Sequence, residues 1–301
     1  LEGLTQQRLR SLSEQVLGLL QSDNMPDLLP PQWLNQIYRS SLVEVLTFLH
    51  RPPAEVSLAQ LLDGIHPYQQ RLAQEELIAH QMSMLRAREQ LQSMLAPVLP
   101  KPTLLREKFE QRLSFQLTSA QQRVASDIAS DLNKPYPMLR LVQGDVGSGK
   151  TVVAALAALH AIAQGRQVAV MAPTEILAQQ HRNSFDAWFE PLGIKVGWLT
   201  GRQSQTVRRQ QLADIASGEA QVVIGTHALF QAEVMFADLG LAVIDEQHRF
   251  GVAQRSKLWH KNTFPPHVLV MTATPIPRTL AMSVYGDLDI SIIDELPPGR
   301  K

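Results

Sequence analysis

Eight consecutive residues, Gly144-Asp145-Val146-Gly147-Ser148-Gly149-Lys150-Thr151, carry the spacing G-x-x-x-x-G-K-[ST] of a phosphate-binding loop. The chemistry follows from the residue types. Glycines let the main chain adopt conformations closed to other residues and approach an anion closely. Successive N–H groups at a helix N-terminus then cradle phosphate oxygens. Lys150 is placed to reach the β/γ-phosphates of ATP and Thr151 to ligate Mg²⁺. The competing reading is a glycine-rich turn without a ligand, which the Lys-Thr pair disfavours. Further along, the apolar run Leu241-Ala242-Val243-Ile244 ends in Asp245-Glu246-Gln247-His248. An apolar strand that ends in Asp-Glu is the Walker-B arrangement. One carboxylate, Asp245, holds Mg²⁺, and its neighbour Glu246 orients or deprotonates the attacking water. Two such carboxylates can also form a solvated loop. His248 could couple this site to the next motif, although a lone histidine there is more often structural.

Both motifs need strand ends to present them, and the surrounding pattern supplies strands. Short apolar, β-branched runs at 138–144, 167–173, 195–201, 221–227, 239–246, 267–274 and 289–295 alternate with helical stretches, the first of which starts near Lys150. Continuous apolar strands separated by helices predict an α/β fold, a mostly parallel sheet covered by helices on both faces. Ligands in such sheets bind at the carboxyl ends of the strands, where the polar motifs fall. Residues 1–104 read differently, as an α-helical segment rich in Leu, Gln and Pro. Leu4, Leu9, Leu12, Val16, Leu19 and Leu20 recur at helical spacing. A short helix is expected at Leu42–Leu49, and a long one from Pro67 to about Leu95, spanning about 40 Å. Pro97 and Pro100 end it. The expected organisation is a helical brace over 1–104 and a nucleotide-binding lobe over 105–301.

Composition removes several classes. The chain has 301 residues and no cysteine, which excludes disulfide scaffolds, thiolate zinc sites and a cysteine nucleophile. Its 28 Lys and Arg balance 28 Asp and Glu, so a broadly basic nucleic-acid binder is excluded and any such contact is local. No apolar run approaches the roughly 20 residues of a membrane span.

Several further strings make the sequence resemble the superfamily 2 helicases and translocases over about residues 110–301. Ala172 to His181 (APTEILAQQH) resembles motif Ia, with Pro173 and Thr174 as its DNA-side residues. Thr200-Gly201 resembles motif Ib, and Gly225 to Leu229 (GTHAL), with Thr226 and His227, the next DNA-contact motif. Thr272-Ala273-Thr274-Pro275 resembles motif III. Phe115-x-Leu117-Thr118-x-Ala120-Gln121 resembles the adenine-reading Q motif, in which the Gln121 amide meets the adenine edge and Phe115 stacks nearby. Hydroxyls and main-chain N–H groups at strand ends suit phosphodiester contacts, which read shape rather than sequence.

Longer strings narrow the resemblance to the RecG-type branch-migration helicases. Asp245 to Val252 (DEQHRFGV) with Gln254-Arg255, Met271 to Leu280 (MTATPIPRTL), Asp294 to Arg300 (DELPPGR), Leu49 to Pro53 (LHRPP) and the helix from His66-Pro67 carry it. The transcription-repair coupling translocases share Arg-Phe-Gly and Pro-Ile-Pro-Arg but carry Glu at the place of Gln247.

The resemblance implies a RecA-like first motor lobe of a double-stranded DNA translocase. Such proteins use ATP and Mg²⁺ to remodel stalled forks and to migrate branched junctions such as Holliday junctions. It also implies a monomer in the bacterial cytoplasm, associated with the nucleoid. Thr272 and Thr274 would link hydrolysis to DNA movement, and Pro275, Pro277 and Arg278 would shape the loop that follows or touch DNA. A second lobe, with its arginine finger, and a wedge domain are expected outside residues 1–301. The 301 residues alone are therefore expected to hydrolyse ATP very slowly. Two readings from other classes stay open: a non-catalytic nucleotide-binding scaffold, and a P-loop kinase or transporter ATPase.

Overall fold

The computed structural model describes residues 5–20, 25–30, 32–33, 40–201, 203–245, 262, 264–274 and 288–297. They pack as two compact units, Leu1–Ser83 and Met84–Lys301.

In the first unit, helices α1 (Gln6–Leu20), α2 (Leu42–His50) and α3 (Leu58–Leu62) precede the long α4 (Pro67–Gln92), whose sequence runs on into the second unit. The expected apolar stripe of α1 is exposed at Leu9, Leu12, Val16 and Leu19. Leu17 is the residue buried instead. It lies on the turn where Glu14 pairs with Arg51, just past the end of α2, at 2.5 Å. The side chain of Arg71 on α4 is 1% exposed and pairs with Asp27 at 2.7 Å. Asp27 also accepts from the N–H of Leu42, at the start of α2. A buried guanidinium needs such a partner, because an unpaired buried charge is costly.

The second unit is an α/β lobe. Its elements are α5 (Thr103–Glu110), α6 (Ser119–Leu132), β1 (Leu139–Gly144), α7 (Lys150–Ala163), β2 (Gln167–Met171), α8 (Glu175–Phe189), β3 (Val196–Leu199), α9 (Gln205–Ala216), β4 (Val222–Gly225), β5 (Leu239–Asp245), β6 (His267–Thr272) and β7 (Asp289–Ile293). Each expected strand is present: β1 ends at the expected Gly144, β5 is described as far as Asp245, and the other five end two residues short of the expected polar terminus. The strands form one sheet in the order β3-β4-β2-β5-β6-β1-β7. Every pairing is parallel.

Successive residues of a strand face opposite sides, so an apolar run on both parities requires a cover on both faces. Val142, Val170 and Val243 join a core with Ile128 of α6, Val153 of α7 and Phe185 of α8. Leu141, Ala169 and Ala242 join a second core with Ile215 of α9 and Leu229. Helix α7 is apolar almost all round and is buried from Val152 to Ile162.

The segment after α4 is stitched into this lobe. Ala96 N–H donates to the Pro135 carbonyl and Leu99 N–H to that of Leu132. His160 bonds the Leu99 carbonyl through Nδ1, and burial holds its pKa below the ordinary value. His267, at the start of β6, is fully buried. Its Nδ1 accepts from the Met138 N–H and its Nε2 reaches the Pro97 carbonyl at 2.7 Å. A ring that accepts at Nδ1 must carry its proton at Nε2, so the neutral tautomer is built in.

Burial pushes the His267 pKa down to about 4, below its ordinary 6.5. The unfolded chain therefore binds more protons than the folded chain between these values. Folding stability is full above pH 6.5 and is lost as the pH falls towards 4, by roughly 3 kcal/mol from this group. Denaturant midpoints measured at pH 7 and pH 4.5 are expected to separate in the wild type. They are expected to separate less in His267→Gln, and an equal separation in both would contradict the assignment.

Candidate functional site

β1 delivers Gly144 to the carboxyl edge of the sheet, and the chain then turns through Asp145–Ser148 into α7. Gly149 caps α7 with φ +88°, in the left-handed region. A Cβ there would sit 2.2 Å from Gln121 Nε2. A Cβ on Gly144 would sit 2.5 Å from Ser148 Oγ and 3.1 Å from Ile293 Cβ. Close approach favours glycine at both places, and at Gly149 the left-handed torsion adds to it. Lys150 lies back over the loop, its Nζ donating to the Gly144 and Asp145 carbonyls at 2.7 and 2.9 Å. Thr151 is half-buried in the first turn of α7, and Val146 is exposed at the loop tip. Ser148 Oγ is buried with no partner. A narrow main-chain cradle, a helix N-terminus, an orphaned hydroxyl and an ammonium on one side fit a polyphosphate.

β5 delivers Asp245, and β6 delivers Thr272 between it and the loop. The registers fix this placement: Gln143 lies opposite Thr272, and Asp245 opposite Met271. β5 and β1 are two strand spacings apart, or about 10 Å. Asp245 Oδ2 is bonded to His181 Nε2 of α8 at 2.6 Å. Thr272 is buried, its Oγ1 accepting from the N–H of the exposed Thr274. Glu246 and His248 lie outside the described residues, as do Gln247, the string from Arg249 through Arg255, Pro275, Pro277 and Arg278.

The Q-motif residues separate. Phe115 is exposed and, with Leu117, Gln122 and Arg106, lines a cavity of about 360 Å³. Gln121 does not line it. Its amide is engaged inside the protein: Oε1 accepts from Thr118 N–H at the start of α6, and Nε2 donates to the Ser148 carbonyl at 2.8 Å. With the Thr118 hydroxyl accepting from Gln121 N–H, this is a capping box that reaches on to the phosphate loop. One donor and one acceptor of the amide remain, but the side chain is only 1% exposed. The next N–H of α6, on Ala120, is met by Glu295, just beyond β7.

The residues expected on the DNA side occupy the other half of the same edge. Pro173 and Thr174 follow β2, Thr200 and Gly201 follow β3, and Thr226 and His227 follow β4. Thr174, Gly201 and His227 are exposed, Pro173 and Thr226 half-buried, and Thr200 buried. The Thr174 hydroxyl accepts from Leu177 N–H as the cap of α8, which leaves its own hydrogen to donate outward. The Thr200 carbonyl accepts from Arg208, and that guanidinium also pairs with Glu233. Arg88, readable either as a solvated face or as a DNA contact, pairs with Asp289 of β7.

Sequence reasoning placed His181 only at the end of a motif string and gave it no role. The available signal was a polar residue on the inward stripe Ala178, His181, Phe185 of an amphipathic helix.

The chain is similar to known proteins along nearly its whole length. Residues 118–283, just over half of the chain, match the DEAD/DEAH box helicase family. The ATP-dependent DNA helicase RecG of Haemophilus influenzae is 57% identical over 99% of this chain and 43% of its own length. That of Aquifex aeolicus is 43% identical over 92% of this chain and 35% of its own length. A solved structure of RecG bound to a three-way DNA junction is similar with a TM-score of 0.75 and 37% identity. It covers 99% of this chain and 39% of that one. The chain thus spans less than half the length of the curated relatives it matches. Among the described residues no helix is long and apolar enough to cross a membrane.

Proposed function

The chain belongs to the DEAD/DEAH box helicase family, and we propose that it is the ATP-binding first motor lobe of a RecG-type double-stranded DNA translocase acting on branched DNA. The carrying observation is how the motifs share one sheet edge. The phosphate loop and Asp245 end β1 and β5, while exposed Thr174, Gly201 and His227 follow β2, β3 and β4 on the adjoining half. Thr272 ends β6 and Thr274 follows it, inside the nucleotide half, where a shift in the loop would reach both neighbours.

In this reading the Gly144–Thr151 loop and α7 bind the phosphates, and Lys150 moves from its carbonyl partners to the β/γ-phosphates. Asp245 and Thr151 would hold Mg²⁺. Mg²⁺ is commonly held by one or two carboxylates together with substrate phosphates. When bound, the cation would neutralise charge that develops on the phosphates. Glu246 orients the attacking water and His248 relays the state of the site to the following motif. Phe115 offers its exposed ring to adenine, and Gln121 ties the start of α6 to the phosphate loop through its bond to Ser148. Main-chain N–H groups and hydroxyls from Pro173 to His227 grip phosphodiesters, which requires no basic surface. Residues 105–301 form the motor lobe proper and 1–104 its brace. The protein acts as a monomer in the bacterial cytoplasm, with the second lobe and wedge supplied by the length its relatives have beyond this match.

In a protein of the relatives' full length carrying this chain, fork DNA is expected to raise the rate of phosphate release from ATP well above that with linear duplex. The 301 residues alone are expected to turn over slowly whatever DNA is added. Turnover indifferent to branched DNA in the longer protein would remove this reading.

A further inference from the structure

Helix α8 sends its inward stripe, Ala178, His181 and Phe185, into the lobe. Two members of that stripe are apolar and fully buried. The third is an imidazole, and burying a polar ring among core residues is costly unless it finds a partner. That partner is the carboxylate at the end of β5: His181 Nε2 stands 2.6 Å from Asp245 Oδ2. The side chains are 9% and 14% exposed, so little water competes for the contact. An ionised carboxylate only accepts, so Nε2–H is the donor. The contact joins residues far apart in sequence and bridges two elements, a strand terminus and a helix packed over the sheet.

We propose that His181 is a positioning residue that fixes the orientation of the Asp245 carboxylate for Mg²⁺. This rests on the reading of Asp245 as the metal-side carboxylate. A carboxylate at a strand end rotates about its last side-chain bond, and a cation tests that rotation strongly because its ligand distances are short and its geometry strict. With Oδ2 tied to His181, the lone pairs of Oδ1 are presented to the cation from one rotamer. Hydrogen-bonded partners behind a ligating carboxylate orient it in this way, and losing one commonly weakens metal binding about 10–100-fold. A histidine that served packing alone would leave metal binding untouched when replaced.

The test is equilibrium binding at one fixed pH, without turnover. The 301-residue chain is titrated with a fluorescent, non-hydrolysable ATP analogue, first without Mg²⁺ and then across a Mg²⁺ series. Wild type is compared with His181→Ala, with His181→Phe, which keeps a ring but has no donor, and with His181→Gln, whose amide can return an N–H to Oδ2. Without Mg²⁺ all four are expected to bind the analogue alike. The Mg²⁺ concentration giving half of the cation-dependent gain is expected to rise about tenfold or more in the Ala and Phe variants. In the Gln variant it returns towards the wild-type value. Using two donor-less variants covers the case where one fails to fold. An unchanged Mg²⁺ requirement in either folded donor-less variant overturns the proposal, and so does a Gln variant as impaired as Ala at equal melting temperature. If wild type itself shows no Mg²⁺-dependent gain, the metal reading of Asp245 falls and takes this role of His181 with it. A gain in wild type that is equal in the variants removes only His181.

Discussion

Lys150→Ala is expected to weaken ATP binding by about a hundredfold or more while moving the melting temperature by no more than a few degrees. Hydrogen bonds to charged groups contribute about 1.5–3 kcal/mol each. Two lost contacts to the β/γ-phosphates therefore correspond to about two orders of magnitude in dissociation constant. The stability cost is small for a separate reason. The Lys150 ammonium donates to the Gly144 carbonyl in a part-buried contact and to the exposed Asp145 carbonyl, and from the open side water can replace it. The cradle itself stays, because the left-handed turn at Gly149 and the Gln121 bond to Ser148 hold the loop without the lysine side chain. Calorimetric titration of both proteins with Mg²⁺-ATP, beside their melting curves, checks this. Unchanged affinity would remove Lys150 from the phosphate site.

That pairing of a lost ligand contact with an intact fold reflects how the site is encoded. The phosphate loop is read from contiguous residues, because one strand, one turn and one helix carry all of it. The strands are equally readable, since a sheet covered on both faces needs an unbroken apolar run, as in Leu239–Asp245. Their ends are not. The run at 167–173 pairs only as far as Met171, the ladder stopping where the chain turns out at Pro173, which has no N–H to give. The order of strands is also hidden, because nothing local states that β5 and β6 insert between β2 and β1. For the same reason the Asp245–His181 contact could not be read, nor could the engagement of Gln121 by Ser148. In each case the partner comes from a distant element and is chosen by the packing. The apolar stripe of α1 marked a helix correctly but not its buried face. Periodicity reports amphipathic spacing, whereas which face is buried depends on the elements packed against it, and here that face carries Leu17.

A charge inside an apolar strand is the sharpest example of a partner that the sequence withholds, and it carries the second large effect. Arg140 is the only charged residue of β1. Its guanidinium is 11% exposed and pairs with Asp131 of α6, itself 7% exposed, at 2.6 Å. Arg140 Nε also donates to that carboxylate, and Nη1 donates to Ser291 of β7. Ser291 donates in turn to Asp127 of α6. The cluster clamps edge strand β7 and helix α6, whose first turn carries Gln121, to β1. Asp131→Ala leaves Arg140 buried without its counter-charge, a change that costs about 3–5 kcal/mol. In a unit of this size, about 1 kcal/mol moves the melting temperature by roughly 2–4 °C, so a fall of about 6–20 °C is expected. Asp131→Ala combined with Arg140→Met removes both charges and keeps an apolar side chain in β1. It is expected to recover a substantial part of the loss, because exchanging both members of a buried pair costs far less than orphaning one. Melting curves of the two variants distinguish a buried, mutually dependent pair from two independent surface charges. Independent charges would give a small loss for the single variant and a larger one for the double.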